Sequence, residues 1–420
     1  MYVPGYYEFF CPVKIVAGHQ ALDKIPRLLG GLNAHHPMII TDKGVVAAGL
    51  VDILLAAITP GVRIGAVEDD VPPDSDLKTV NRLAGVYRES GCDALVAVGG
   101  GSVIDTAKGV NIVVSENVDD LMQFSGAGNL TRPLKPLVAI PTTAGTGSEV
   151  TLVAVIADPA RNLKMPFTSY FLMPDIAVLD PRMTLTLPPA ITAATAMDAL
   201  THAIEAYTCL AKNPLSDAHA QLAIELIGQN LLKVINEPEN ANGRLALAVA
   251  ATLAGVAFSN AMVGMVHTLG HSVGAVCGVP HGISMAILLP YGLEYNMHKN
   301  GHLTAQLLLP LSGARVYAQT PAHLRAQHAI AAIRQLNQRL HQGTGGRHAR
   351  FFKEITSPDG SARVPAESIE AIADKALGDG SILCNPEELD RDDLVMVMSH
   401  AWAGTPLDRD LVKKGGLQIR

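Results

Sequence analysis

Three histidines crowd one apolar stretch, NAMVGMVHTLGHSVGAVCGVPHGISMAILLP: His267, His271 and His281. An imidazole has two ring nitrogens that each need a partner, so burying one is costly unless both are satisfied. His267 and His271 stand one helical turn apart and share a face. His281 follows CGVPHG, where Gly278 and Pro280 end one helix and start the next. A histidine in a helix's first turn stays neutral readily, because the dipole disfavours imidazolium there, and neutral imidazole is the form that binds metal. Upstream, AMDALTHAIEAY sets Asp198 and His202 on one helix face among Ala196, Met197, Ala199, Leu200, Ala203 and Ile204. That pair reads either as a local Asp–His hydrogen bond or as two ligands of one metal. The gathering of so many metal-competent groups in two apolar segments points to a metal. One Asp with three His is a mixed nitrogen and oxygen set, suited to Fe(II), Zn(II), Mn(II) or Ni(II) and unlike a soft thiolate site. Beside a nicotinamide, such a cation would polarise an alcohol oxygen while the carbon-bound hydrogen left as hydride; the reverse direction reduces an aldehyde.

Two Gly-rich loops offer a place for that nicotinamide's carrier. VAVGGGSVIDTAKG puts Gly99, Gly100, Gly101 and Ser102 between a strand and a helix, with Asp105 in the helix's first turns. Glycines allow close backbone approach, and the following helix aims free N–H groups at the spot, which makes a phosphate or pyrophosphate cradle. It is not the G-x-G-x-x-G fingerprint, and an ordinary tight βα turn is the competing reading. IPTTAGTGSEVT also follows a strand and sets Thr142, Thr143, Thr146 and Ser148 among glycines. It reads as a polar surface loop or as the second wall of a dinucleotide site. Asp42 ends the first clear strand. An acid there caps the next helix, or accepts from a ribose hydroxyl and repels a 2′-phosphate, which favours NAD while leaving NADP open.

The elements that must hold these residues follow from periodicity. Up to about residue 185, β-rich runs (PMIIT, VRIGAV, ALVAVGG, PLVAIPTT, EVTLVAVIA, DIAVLD) alternate with helical ones, among them DKGVVAAGLVDILLAAI and SDLKTVNRLAGVYRESG. That alternation implies βαβ units and a largely parallel, Rossmann-like sheet. Beyond LPP the 3.6-residue period dominates nearly to the end. The expected division is an α/β dinucleotide-binding domain over 1–186 and an all-helical metal-binding domain over 187–420. No low-complexity linker joins them, so the expected site is the cleft between. GTGGRHARFFKEITSPDGSARV, within 342–364, reads as a surface loop, and the terminal PLDRDLVKKGGLQIR carries no pattern that assigns it.

Composition removes other classes. With 420 residues, one core is too few. Lys plus Arg number 32 against 39 Asp plus Glu, with no basic block, so a nucleic-acid partner is not expected. Five scattered cysteines without a CxxC pair, and no signal-peptide pattern, indicate reduced thiols in a cytoplasmic protein. The apolar run 245–266 contains Ser259 and Asn260 and lacks an aromatic belt, so it reads as a buried helix and not as a membrane span.

Together, GGGSVIDTAK, IPTTAGTGSEVT, MDALTHAIEAY, NPLSDA and HTLGHSVGAVCGVPHGISMAILLPYGLEYN closely resemble the iron-containing (group III) alcohol dehydrogenase family, from Asp42 to about residue 300. The resemblance implies a dehydroquinate synthase-like fold, with an α/β nucleotide domain followed by an all-helical one. It implies Asp198, His202, His267 and His281 as metal ligands, with Fe(II) expected and Zn(II) possible. His271 would be a non-ligand catalytic histidine near the nicotinamide. Gly99 to Ser102, Thr142, Thr143, Thr146 and Lys164 would contact the cofactor, and Phe258 would wall the pocket. Relatives are often homodimers or larger. Two departures are visible: Pro73 stands where many relatives have an Asn, and Val153 replaces a frequent polar residue. With Phe258 and Met262, Val153 suggests an apolar pocket for a small uncharged primary alcohol, aldehyde or diol. The alternatives are a sugar-phosphate cyclase or polyol-phosphate dehydrogenase of the same fold, or a non-catalytic metal- or nucleotide-binding protein. The former need Lys and Arg for an anionic substrate, yet residues 190–300 hold only Lys212, Lys233, Arg244 and Lys299, none within the ligand motifs.

Overall fold

A computed structural model describes residues 3–158 and 163–407. All of the terminal stretch beyond Leu407 lies outside the described residues. The chain groups into two compact units, one of Phe10–Leu187 with Glu239–Gly255, the other of Pro188–Pro238 with Val256 onward and the stretch up to Phe9.

Among the described residues, the first unit has nine strands: β1 (Lys14–Ala17), β2 (Pro37–Ile40), β3 (Ala66–Glu68), β4 (Ala94–Gly99), β5 (Gly126–Ala127), β6 (Leu137–Pro141), β7 (Val153–Asp158), β8 (Leu163–Thr168) and β9 (Ile176–Leu179). Helices α1 (Ile25–Gly31), α2 (Lys43–Ala47), α3 (Leu50–Ile58), α4 (Leu77–Glu89) and α5 (Gly101–Glu116) lie between the earlier strands. Six strands form a parallel sheet in the order β1-β9-β6-β4-β2-β3. Every residue of β2, β4, β6 and β9 is buried, as a sheet covered on both faces requires. Alternate side chains serve opposite faces. Met38, Ile40, Leu95, Ala97, Leu137 and Ala139 join a core with α4 and α5. Ile39, Val96, Val98, Val138, Ile140 and Val178 join another with α1 and α3. From β2 the chain runs outward to β3, then returns to the other side of β2 at β4. The switch in direction lies between β2 and β4, and ligands of open α/β sheets bind at the carboxyl ends there. Asp42 and Gly99–Ser102 follow those two strands.

Three expectations need correction. DKGVVAAGLVDILLAAI is not one helix: Gly49 adopts φ +73°, left-handed backbone that ends α2 before α3 begins. EVTLVAVIA does not join the parallel sheet. Its β7 pairs antiparallel with β8, and with β5 they form a separate three-stranded sheet. The alternating burial of β7 is that of a half-exposed strand. The 342–364 stretch is not merely a surface loop, because His348, Phe352 and Val364 are fully buried in it.

The second unit is helical: α6 (Pro189–Thr208), α7 (Pro214–Asn236), α9 (Met265–Cys277), α10 (His281–Tyr295), α11 (Met297–Gln319), α12 (Arg325–Gly343), α13 (Ile369–Ala376) and α14 (Arg391–Ala403). Helix α8 (Ala241–Ser259) groups through Gly255 with the α/β unit. Among the described residues, α8 is the one helix long and apolar enough to cross a membrane, and 61% of its apolar window is buried. Helix α6 is buried on nearly all sides from Ala196 to Thr208. Its small residues let neighbouring helices approach, so any polar side chain on it must find partners inside the protein.

Candidate metal centre and dinucleotide cradle

Helix α6 carries Asp198 and His202 one turn apart, α9 carries His267 in its first turn, and α10 begins at His281. Their ligand atoms converge. Asp198 Oδ1 lies 3.2 Å from His281 Nε2, 3.8 Å from His202 Nδ1 and 4.0 Å from His267 Nε2. One ligand atom each from Asp198, His267 and His281 fits within 4.8 Å. Asp198, His202 and His267 are buried, while the His281 side chain is 38% exposed. Asp198 Oδ1, His202 Nδ1 and His267 Nε2 have no hydrogen-bond partner. Each such buried atom costs about 1–3 kcal/mol. Asp198 Oδ1 and His267 Nε2 belong to the close group with His281, which marks a place that a cation completes, while His202 Nδ1 falls outside that group. The donor set fits the group: one carboxylate and neutral imidazoles. Burial works to raise the Asp198 carboxyl, but the facing imidazoles, His202 first, hold it well below the usual range. Burial depresses His202 to about 3 and pushes His267 well below an ordinary histidine, so both are neutral.

Phe258 stacks on His202, ring centroids 4.2 Å apart at 16°, and His202 in turn stacks on His267 at 4.4 Å. Met262 sits at φ +78°, a left-handed conformation unusual for a long side chain, and remains half exposed. His271, half exposed, stacks on His281 at 5.2 Å and is not among the converging ligand atoms. Its Nδ1 lies 2.8 Å from Asp379 Oδ2.

In the α/β unit the two Gly-rich loops lie side by side. Thr142 N–H donates to the Gly99 carbonyl at 3.0 Å. A Cβ on Gly101 would stand 2.9 Å from Thr146 Cγ2, and one on Gly100 3.5 Å from Thr143 Oγ1. No side chain caps the first turn of α5, which leaves its N–H groups for an anion. Asp42 Oδ1 accepts from Val45 N–H at 2.9 Å and so caps α2, the other carboxylate oxygen being uninvolved in that bond. Ser102 donates to the Pro73 carbonyl. Asp105 and Ser148 turn inward: Asp105 accepts from Ser148 Oγ at 3.2 Å and from Val155 N–H at 2.9 Å. Lys164, on β8, is paired with Asp74 at 2.8 Å, and Val153 opens β7.

Two residues escaped the sequence reading. Glu205 is buried on α6 with Oε2 2.5 Å from His267 Nδ1, and burial raises it to about 7 against the donors of Val266, Gly264 and His267. Its position, seven residues after Asp198 on the same apolar face, was the available signal. Asp379, on a loop before a short 3₁₀ turn, had none.

The sequence model of the iron-containing alcohol dehydrogenases matches residues 12–181, and that of the Fe-containing alcohol dehydrogenase family's C-terminal part matches 192–402. The NAD-dependent methanol dehydrogenase of Bacillus methanolicus is 38% identical over 264 residues, covering 63% of this chain and 69% of that protein. The 1,3-propanediol dehydrogenase of Klebsiella pneumoniae is 40% identical over 268 residues, covering 63% and 67%. Alcohol dehydrogenase 4 of Saccharomyces cerevisiae is 31% identical over 399 residues, covering 94% and 98%. Among solved structures, a 1,3-propanediol oxidoreductase superposes with TM-score 0.87 at 33% identity, over 94% of this chain and all of that one. The sulfoacetaldehyde reductase of Bifidobacterium kashiwanohense, solved with NAD+, gives 0.81 at 26%, over 95% and 100%. This chain belongs to the iron-containing alcohol dehydrogenase family, as an oxidoreductase that transfers hydride between an alcohol and a nicotinamide cofactor.

Proposed function

We propose that the protein interconverts a small, uncharged primary alcohol or diol and its aldehyde, with NAD as the hydride partner and Fe(II) at the helical site. The observation that carries this reading is the convergence of one ligand atom each from Asp198, His267 and His281 within 4.8 Å, two of them, Asp198 Oδ1 and His267 Nε2, buried without a partner. Asp198, His202, His267 and His281 would hold the metal, which when bound supplies Lewis acidity to an alcohol or carbonyl oxygen. The neutral imidazoles and the ionised Asp198 need no proton loss to serve as ligands. Phe258 and Met262 give the substrate's carbon chain an apolar lining. His271 Nε2 takes up the hydroxyl proton, because its Nδ1–H is held by Asp379 Oδ2. On the cofactor side, the α5 N-terminus and Gly99 to Ser102 cradle the pyrophosphate. Asp42 accepts from the ribose and disfavours a 2′-phosphate. Thr142, Thr143 and Thr146 bound the same cradle, with Lys164 at its margin, and Asp105 and Ser148 brace it from within.

The deciding test is an anaerobic panel of short alcohols, diols and aldehydes on protein stripped with chelator and reloaded with Fe(II) or Zn(II), read by NADH absorbance. Turnover with uncharged primary alcohols that depends on metal is expected. A loaded, NAD-bound protein inert across the panel would sink the proposal. A cytoplasmic, homo-oligomeric enzyme is part of this reading: five free cysteines fit a reducing compartment, and light scattering tests the oligomer.

A further inference from the structure

Glu205 lies on α6, one turn beyond His202, and its carboxylate reaches the start of α9. Oε1 accepts from Val266 N–H at 2.8 Å, and Oε2 accepts from His267 N–H at 3.3 Å while standing 2.5 Å from His267 Nδ1. The first turn of a helix has N–H groups with no partner inside the helix, and here no side chain of α9 itself caps them. A Cβ on Gly264 would stand 3.0 Å from Asn385 Oδ1 and 3.2 Å from Glu205 Oε1, so glycine eases the approach of both side chains. Asn385 Oδ1 takes the neighbouring Met265 N–H at 3.2 Å. Two backbone donors on one carboxylate favour the ionised form, an acceptor only, and so does the helix dipole, both against the burial that works to protonate it. The imidazole must then present Nδ1–H to Oε2, which leaves the Nε2 lone pair bare. That Nε2 is the atom 4.0 Å from Asp198 Oδ1 that lacks any partner.

We propose that Glu205 is a positioning residue. It fixes His267 as the Nδ1–H tautomer and locks the α9 ligand to the helix that carries Asp198 and His202. The inference rests on the metal reading given under Proposed function. A carboxylate behind a ligating imidazole sets the ring's orientation and basicity, and its loss typically weakens metal binding 10–100-fold.

The test uses the full-length protein with Co(II) as probe, titrated against a chelator and followed by the d–d absorption. Glu205→Gln is expected to bind Co(II) about 10–100-fold more weakly, with an altered band shape, because an amide cannot receive all three donors. Asn385→Ala, which loosens the same helix start without touching the imidazole, is expected to leave the band shape as in the wild type. His281→Ala separates the two readings. If it binds Co(II) as the wild type does, the metal site itself is wrong. If it loses Co(II) while Glu205→Gln keeps wild-type affinity and spectrum, only the role of Glu205 is overturned. A measurement without variants stands beside these: in metal-free protein labelled with ¹⁵N-histidine, His267 should show a protonated Nδ1 and an unprotonated Nε2. The opposite tautomer refutes the proposal.

Discussion

Lys108 is a test of how the dinucleotide cradle is braced. It sits on α5, fully buried, seven residues after the glycine that opens the helix. Its ammonium donates to the Thr151 carbonyl at 2.8 Å, Thr151 Oγ1 at 3.0 Å and the Val153 carbonyl at 2.8 Å. These acceptors join the Thr- and Gly-rich loop to β7, so one side chain ties both loops of the cradle together. Burial lowers the ammonium to about 8 against the pull of Asp105 and Glu149, so at pH 7 it is still charged. Lys108→Met keeps most of the apolar stem and removes the charge and donors. The buried Thr151 carbonyl and the partly buried Val153 carbonyl then lose their partner, at about 1–3 kcal/mol for the buried one. The Thr151 hydroxyl, 3.4 Å from the Val153 carbonyl, covers one of them in part. Asp105 and Glu149 lose their buried cation, and breaking such a set costs about 3–5 kcal/mol. These costs overlap, because the same ammonium serves all the partners, and the larger of them sets the expected loss, about 3–5 kcal/mol, in the α/β unit. The only tryptophan, Trp402, lies on α14 and does not report on that unit. Native-state hydrogen exchange on peptides covering α5 and β7 does. At about 1.4 kcal/mol per tenfold, exchange there should quicken roughly a hundredfold to several thousandfold. NAD should bind more weakly in the same variant. Acceleration of less than tenfold would refute the bracing role.

Two further predictions concern the same unit. Gly147 has φ +65°, and a Cβ there would stand 2.6 Å from Gly255 Cα on α8; Gly147→Ala should destabilise by about 2–5 kcal/mol, left-handed strain plus overpacking, in chemical denaturation followed by circular dichroism. A wild-type-like midpoint would show that the loop and helix do not meet so closely. Asp180 is desolvated, which works to raise its carboxyl, but bonds from Arg182 and the Leu22 N–H hold it below the ordinary value of 3.8. Its stabilising effect is therefore complete above the unfolded pKa and lost as pH falls through the lower folded one. The stability gap between wild type and Asp180→Asn should be constant from pH 7 to about 5 and shrink below about 4. A gap that widens toward acid pH contradicts the assignment.

The burial of Asp198, His202 and His267 together was legible because helical spacing and apolar neighbours constrain a polar side chain twice. Asp198 and His202 must share a face, and that face has no water to turn to. The two Gly-rich loops were legible for a similar reason, since glycines beside a strand end admit close approach and little else explains three in a row. Legibility failed where the deciding partner was distant. Asp105 and Ser148 look like cradle residues by type and neighbourhood, yet 43 residues apart they bond each other. Spacing cannot say whether a loop hydroxyl faces ligand or core. Glu205 is the opposite failure, a residue the periodicity marks as buried but leaves without a reason, because its partner lies 62 residues on at a helix start. A carboxylate that continues the face of two others on an apolar helix has few fates. It must meet a cation, a cluster of donors or a helix N-terminus, and in this chain it meets the latter two at once. That rule could have found it: after the ligands on a metal-bearing helix are named, the next buried acid on their face is the first place to look for what orients a ligand on the neighbouring helix.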